Sequence, residues 1–346
     1  MKKKSSIIIS KSKKGEDPNI ITSVRGRIPW VLQKLAINKE SFKESFIRVR
    51  DLIKREDNLH IIKQSLIPLV EITIRKNWLK EIDKNLYFEF HDLLFDLLRR
   101  YSKYPALGRR IANAFLYYKG LDEDEAEEVL NCLGDVADSA PLFIYYAVYR
   151  KNHFRERGEF DTKQFEKLLK EKIQSGSEEL RRQLAWHLWK SISDGNDFEI
   201  LKEYIDSFVF SPYSRSTSDF LLMIIEEKIQ ANYLDCFNWF ETILQRTIEH
   251  ASKLGMAEGL VCGGEYADIA QQIARIGTPE DYLEIVNKIS QLALIDKVIV
   301  YDLKEVFGAY SLIESNKRKK ALSKLEPLWK ELIRKNPRLA EIEWRN

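Results

Sequence analysis

The chain has 346 residues, with 14 glycines, 9 prolines and 3 cysteines, and 32% of its residues are charged. Glycine and proline are scarcer than in an average protein, which favours long amphipathic helices and argues against collagen, a disulfide scaffold, a disordered chain and a turn-rich β-sandwich. The formal net charge is only +3, but residues 1–60 carry 15 basic and 7 acidic residues, and residues 317–338 carry 9 basic and 2 acidic residues. The chain is therefore basic towards both ends and acidic between them.

Residues 1–18 contain six lysines and end in Gly15-Glu16-Asp17-Pro18, so we expect a mobile basic tail. After this tail, the apolar spacing predicts helices almost without a break. Thr22 and Ser23 are candidate caps of the first helix, and Ser177 is the expected cap of the helix that begins at 178. The predicted helices cover residues up to about 36, then 40–56, 59–76, 78–100, 105–118, 123–136, 141–152, 162–174, 178–193, 197–208, 217–231, 234–253, 265–276, 279–292, 300–315 and 319–335. Only Val298–Tyr301 resembles a short strand.

An internal repeat is visible in the first two thirds of the chain. Val24–Leu32 and Leu180–Leu188 share a frame in which the first, fifth and ninth residues are aliphatic, the second is basic and the seventh is Trp. Looser copies of this frame start at 62, 107, 142 and 220, and its register is lost beyond 250. A period of about 40 residues that holds two helices is the range of HEAT and armadillo arrays.

The frame resembles HEAT repeats, which place an aliphatic-Arg pair early in the second helix of each repeat. That family often has an Asp about six residues before the basic residue, where this chain has Asn19, Asp57 and Ser175. The resemblance covers about 18–230 and implies an all-α, right-handed α-solenoid of about 40-residue two-helix repeats. We expect the array over 19–254, and over 255–346 a C-terminal helical block that either continues the array or is separate from it.

Basic and aromatic side chains of this frame are the candidate binding residues, because such side chains commonly anchor macromolecular partners. They are Arg25, Arg27, Trp30, Arg109, Arg110, Arg181 and Arg182. We expect the arginines at 25, 109, 110, 181 and 182 to be exposed. The alternative follows from the resemblance, since in HEAT arrays the basic residue of the frame tends to bridge neighbouring repeats.

The sequence shows no positive sign of a catalytic or metal centre. Cys132, Cys236 and Cys262 lie far apart, which indicates reduced thiols in a cytoplasmic protein, and no pair of histidines has zinc-ligand spacing. The acidic residues 122–125 precede a predicted helix, where carboxylates stabilise the helix N-terminus, so we favour capping over a calcium loop. No segment has the length and apolar content of a membrane span. We therefore expect no cofactor and no membrane contact.

The stretch 255–264 holds four of the glycines and Cys262. A phosphate-binding loop or a reactive cysteine is one interpretation, since glycines permit close approach of the backbone to a ligand. A hinge between two packed blocks is favoured, because the order of glycines and lysines that defines a phosphate-binding loop is missing.

The leading hypothesis is a non-catalytic scaffold that binds a protein partner on the concave face of a solenoid. Residues 22–27 also resemble the helical sensor regions of STAND-type NTPases, which implies a regulatory role in an NTPase-based assembly, for example in defence against phage. The chain has no P-loop, so the ATPase core would be elsewhere. A third hypothesis is a HEAT-like DNA-binding protein or DNA-repair glycosylase. Nucleic acid would then be contacted mainly by the Lys-rich tail.

Overall fold

The computed structural model of the chain describes residues 24–118, 121–150, 161–195, 198–255, 264–295 and 300–344. Across these ranges all regular secondary structure is helical, which confirms the predicted all-α class. The tail predicted over 1–18 and the candidate caps Thr22 and Ser23 lie outside the described residues. In the same ranges, no helix combines the length and the apolar character needed to cross a bilayer.

Contacts divide the chain after Lys172 into two compact units. The helices of the first unit, the last of which contains the point of division, are α1 (Val24–Leu35), α2 (Lys39–Arg55), α3 (Leu59–Ile74), α4 (Lys76–Ile82), α5 (Lys84–Tyr101), α6 (Pro105–Tyr117), α7 (Glu123–Leu133), α8 (Ala140–Ile144) and α9 (Lys163–Ser175). A 3-10 turn, Ala137–Ser139, precedes α8, and a π-helical turn, Tyr145–Tyr149, follows it. The division falls inside the array predicted over 19–254. The boundary expected at 255 stays a prediction.

The second unit contains α10 (Glu178–Ser193), α11 (Phe198–Val209), α12 (Arg215–Lys228), α13 (Tyr233–Leu254), α14 (Gly264–Ile276), α15 (Pro279–Ile295), α16 (Val300–Gly308) and α17 (Ser315–Lys335). Two 3-10 turns, Ala309–Leu312 and Pro337–Glu341, flank α17. Ser177 caps α10 as expected, because its hydroxyl accepts a hydrogen bond from the Leu180 backbone N–H at 3.3 Å. Of the strand-like stretch Val298–Tyr301, the described part begins α16.

The prediction of a single helix over 78–100 is wrong, because the structure has two helices there, α4 and α5. Asp83 separates α4 from α5 in an extended conformation and caps α5, because its carboxylate accepts a hydrogen bond from the Asn85 backbone N–H at 3.0 Å. The apolar stripe is continuous across the break, so periodicity alone did not reveal it. The signal was Asp83 itself, a residue type that favours helix N-caps.

Helices in each unit pack on their neighbours in the chain and on helices two or three places further along. In the first unit α1, α3, α6 and α8 contact one another in turn, and in the second unit α10, α12, α14 and α16 do the same. A second series of successive contacts is formed by α11, α13, α15 and α17. The helices that carry the sequence frame are α1, α3, α6 and α8 in one unit and α10 and α12 in the other. The frame therefore marks helices in equivalent positions.

Core side chains follow the same frame. Leu180, Leu184 and Leu188 of α10 are fully buried, as are Leu107, Ile111 and Phe115 of α6. The frame repeats because each of these helices must bury an apolar face against the previous and the next member of its series. Only α1 departs from this rule, and its outer face is described below.

Candidate interaction surfaces

Arg25 on α1 forms an ion pair with Glu56, in the turn between α2 and α3. The carboxylate of Glu56 is buried and also accepts a hydrogen bond from the Asn58 backbone N–H at 3.0 Å. The resemblance to HEAT repeats places the acid at Asp57, which is exposed. In the structure, the acid that pairs with Arg25 is the residue before it, Glu56. Arg25 thus bridges to the turn before the next helix of its series.

Arg181 is the equivalent residue on α10, and the expectation that it is exposed is wrong. Only 6% of the residue is exposed. Its guanidinium donates to the Ile173 carbonyl at 2.9 Å, to the Ser211 hydroxyl at 2.7 Å and to the Pro212 carbonyl. Burial lowers the pKa of this guanidinium, and nearby Arg246 adds to the effect. Arg181 therefore stabilises the turn between α11 and α12, and it does not offer its charge to a partner.

Arg246 on α13 reaches the same turn from the other direction. It donates to the Val209 carbonyl, which the end of α11 leaves without a partner in the helix, and to the Ser211 carbonyl just beyond the helix. Arg75 and Arg150 repeat this arrangement in the first unit, where they donate to the Ala36 and Leu121 carbonyls at 2.7 and 3.0 Å. Arginine-to-carbonyl bonds between successive helix pairs are thus a recurrent feature, which the residue types alone did not predict.

The remaining candidate arginines are closer to solvent. Arg109 pairs with Asp138 at 2.9 Å and Arg182 pairs with Glu179 at 2.8 Å, while Arg110 is half-buried. Arg27 is exposed on α1, and Trp30 is half-buried on the same helix with its indole N–H lacking a hydrogen-bond partner. The candidates belong to different helices of both units, so the structure does not gather them into one cluster within either unit.

The tyrosines near Arg109 and Arg110 are divided between core and surface. Tyr101 and Tyr118 are buried, whereas Tyr104 and Tyr117 are exposed. The cations above the two buried rings are Arg100, 4.9 Å from the Tyr101 ring, and Lys76, 4.9 Å from the Tyr118 ring. The interleaving of basic and aromatic residues in this part of the sequence therefore reflects packing inside the unit as well as exposed surface.

The acidic block around residue 122 caps α7, as predicted. Asp122 accepts a hydrogen bond from the Glu125 backbone N–H at 2.9 Å, and Glu125 accepts one from the Asp122 backbone N–H at 3.1 Å. Further along the chain, Glu128 pairs with Arg99 on α5 at 2.6 Å, and Asp135 pairs with Lys172 on α9 at 3.1 Å. Within the described ranges, no three His, Cys, Asp or Glu side chains are arranged to hold a metal ion.

Burial raises the pKa of both described thiols, Cys132 and Cys236, and the clefts given below are small. Cys236 is buried, and this burial raises the pKa of its thiol to about 12, so the nucleophilic thiolate is not formed at neutral pH. One cleft lies beside Arg246 and another lies between α1, α2 and α3, and each encloses about 10 Å³, which is room for about one water molecule. Both are smaller than typical ligand pockets. Cys262 and most of the glycine-rich stretch lie outside the described residues; Gly255 ends α13 with a φ of 70°.

One face of α1 carries a row of exposed apolar side chains that was not predicted from the sequence. Val24, Ile28, Val31 and Leu35 are 74%, 40%, 56% and 58% exposed, and we name this row the α1 seam. Their spacing of four, three and four residues places them on one face of the helix. The other side of the helix, with Gly26 and Pro29, is buried, and α1 packs on α2 and α3. The spacing was the available signal, but the frame assigned Val24 and Ile28 to the core.

A basic surface lies on α17. Lys319, Lys324, Lys330 and Arg334 are exposed, while Leu325 and Trp329 face the core; we name the four cations the α17 basic face. Two neighbouring lysines are paired, Lys320 with Glu280 at 2.8 Å and Lys335 with Glu331 at 2.9 Å. The charge count over 317–338 anticipated this surface, and the helix arrangement gathers its cations on one side.

No protein-family model matches the chain, and the curated proteins contain no match to it. The resemblances to HEAT repeats and to the sensor regions of STAND-type NTPases therefore stay predictions.

Proposed function

We propose that the protein is a non-catalytic helical-repeat scaffold that binds a protein partner. The α1 seam carries this proposal, because a continuous row of exposed aliphatic side chains on one helix face is typical of an interaction site. The series of stacked helices in each unit and the arginine bridges between successive helix pairs support an α-solenoid arrangement of each unit. A scaffold of this kind presents rigid helix faces without a catalytic centre.

Site-specific photo-crosslinking in living cells tests this function. A photoreactive amino acid placed at Val31 should give a protein adduct, and mass spectrometry of the adduct should map one constant segment of the partner. Lys167 is the matched control position, because its side chain is 80% exposed but lies outside the seam. Equal adducts at both positions, or none at Val31, would contradict protein binding through this face.

A second function, contact with a nucleic-acid backbone, is favoured by the α17 basic face. Four exposed cations on one side of a helix provide the sequence-independent attraction on which phosphate contacts depend. Each phosphate contact contributes a slope of about −0.9 to the dependence of log affinity on log salt concentration. This proposal concerns a different helix from the α1 seam, so the two functions are tested separately.

An electrophoretic shift of duplex DNA at two salt concentrations tests the second function. The double variant Lys330→Glu/Arg334→Glu should bind at least about tenfold more weakly at low salt. Its log affinity should also depend less steeply on log salt concentration, by an amount that corresponds to about two phosphate contacts. Lys54→Glu/Arg55→Glu is the matched control, since it makes the same charge change at exposed positions of α2. Absence of a shift at the lower salt concentration, or an equal loss in the control, would exclude this function.

A further inference from the structure

We infer that the α1 seam docks an amphipathic helix with acidic edges, which the partner protein supplies. The inference rests on the proposed function and goes further by stating the chemistry of the partner. It depends on two observations, namely the geometry of the exposed apolar row and the sign of the charges beside it.

The geometry of the seam fits a single helix. Val24, Ile28, Val31 and Leu35 follow the alternating four-and-three spacing of a coiled-coil seam, which is narrower than the broad apolar stripe of a helix that packs into a core. The seam runs along about three turns of α1, and its residues match the a and d positions of one partner helix. The other face of α1 packs on α2 and α3, so the seam is presented on a supported helix.

The charges beside the seam have one sign. Arg27 and Lys34 are seven residues apart, so they follow one edge of the seam along two turns of the helix. Arg25 lies towards the other edge, where Glu56 already pairs with it. The sequence of α1 contains no acidic residue. Acidic side chains at the edge of a docked helix would meet Arg27 and Lys34, as charges at the edges of coiled coils do.

The same charges disfavour two other occupants. A second copy of α1 would bring its own Arg27 and Lys34 to the same seam, and the segment 1–23 contains six lysines against two acidic residues. Either would place like charges beside each other. An anionic membrane would satisfy the charges, but membrane-surface helices have a wide apolar face that is typically rich in Trp, Phe and Leu. The seam is narrow, and two of its four residues are valine.

Fluorescence anisotropy with the full chain tests this inference. The probe is a labelled synthetic helix with Leu at a and d and Glu at e and g. The controls are the same peptide with Lys for Glu and a scrambled acidic peptide that has no apolar face. We expect the acidic amphipathic peptide to bind at least about tenfold more tightly than either control, because it alone matches both the seam and its charges.

Three variants connect binding to the seam. Val31→Ser and Arg27→Glu/Lys34→Glu should each weaken binding of the acidic peptide about tenfold, and the charge variant should improve binding of the Lys peptide. Leu234→Ser on α13 is the matched control, because Leu234 is 74% exposed outside the seam and should leave binding unchanged. Circular dichroism of each variant should show an unchanged helix content, so that lost binding is not lost folding.

Other results would overturn the inference. Equal binding of the acidic and scrambled peptides, or an equal effect of Leu234→Ser, would show that the seam does not select an acidic helix. A dimer that Val31→Ser dissociates in sedimentation would assign the seam to a second copy. An intramolecular crosslink from position 31 to residues 1–23 would assign it to the chain itself. Stronger binding to phosphatidylserine vesicles than to the peptide would assign it to a membrane. If crosslinking in cells succeeds and the peptide fails, the scaffold function stands and only the acidic-helix chemistry is wrong.

Discussion

Arg181 and Arg246 donate hydrogen bonds to the same turn, residues 209–212, and one arginine precedes this turn in the chain while the other follows it. Arg181 comes from α10 and donates to the Ser211 hydroxyl and the Pro212 carbonyl, while Arg246 comes from α13 and donates to the Val209 and Ser211 carbonyls. Arg246 supplies the hydrogen bond that the Val209 carbonyl, in the last turn of α11, cannot receive within the helix, and Arg181 donates to the residues that follow this turn. They also tie three successive helix pairs to one short segment of backbone.

Replacement of Arg181 by Met should therefore destabilise the protein strongly. The variant keeps most of the side-chain volume but leaves buried carbonyls without donors, and we expect the free energy of unfolding to fall by about 3 kcal/mol. Urea denaturation followed by circular dichroism measures this change. Arg182→Met is the matched control, because Arg182 only pairs with Glu179 near solvent, and it should change stability by less than about 0.5 kcal/mol.

A double-mutant cycle with Arg246→Met measures the coupling of the two arginines. Arg246→Met should lower the free energy of unfolding by about 1 kcal/mol less in the Arg181→Met background than in the wild-type protein, because both residues stabilise the same turn. Strictly additive losses would show that the two arginines act on independent parts of the structure.

Gly108 occupies the position of the frame where the copies that start at 24, 62 and 180 have a basic residue. A Cβ atom added there would lie 2.5 Å from the Ser102 carbonyl oxygen and 3.0 Å from Cγ2 of Val136. Gly108→Ala should thus lower the free energy of unfolding by about 2 kcal/mol, even though Ala is the better helix former. Gly308→Ala is the control, since its Cβ would have only ordinary contacts. Equal thermal denaturation midpoints for the two variants would contradict this explanation of the departure from the frame.

The helices and the frame could be predicted from the sequence because apolar periodicity indicates which face each helix buries. The spacing of Leu180, Leu184 and Leu188 was sufficient to identify their buried face. The location of a guanidinium is different, because a long side chain on a helix edge reaches either solvent or the carbonyls of a distant turn. Arg181 and Arg182 are adjacent in sequence, and only the position of residues 211–212 makes one buried and the other half-exposed.

The α1 seam illustrates a second limit. Val24 and Ile28 occupy the same positions of the frame as the buried Leu180 and Leu184, yet they are exposed. Burial depends on whether a neighbouring helix covers the face, and the sequence of one helix does not contain that information. In the structure, α1 contacts α2 and α3 with its other side, which leaves these residues uncovered.

The cap of α7 provides a test of the acidic block. Asp122→Ala removes the hydrogen bond to the Glu125 backbone N–H and a favourable charge at the helix N-terminus, so stability should fall by about 1 kcal/mol. Asp124→Ala is the matched control, because Asp124 is exposed in the first turn and is not the cap; it should cost about 0.5 kcal/mol or less. Titration with Ca²⁺ should leave the unfolding midpoint of the wild-type protein unchanged, and a stabilisation by Ca²⁺ would contradict the capping role.

His187 on α10 makes the stability of the protein sensitive to mild acid. Its ring lies 4.4 Å from the ring of Trp186, and burial, assisted by the charge of Lys190, lowers its pKa to about 4. The unfolded chain takes up a proton on this histidine near pH 6.5, about its ordinary pKa, whereas the folded chain does not until about pH 4. The unfolded state therefore binds more protons between these values, and the free energy of unfolding decreases as the pH falls through this range.

His187→Gln should remove this part of the acid sensitivity. Because the half-buried ring keeps some contact with water, we expect the wild-type protein to lose about 2 kcal/mol more than the variant between pH 7 and pH 4.5. Urea denaturation at several pH values measures the difference, and the comparison at pH 7 corrects for the packing change. Parallel curves for the two proteins would show that His187 titrates equally in the folded and unfolded chains, which its burial beside Trp186 should prevent.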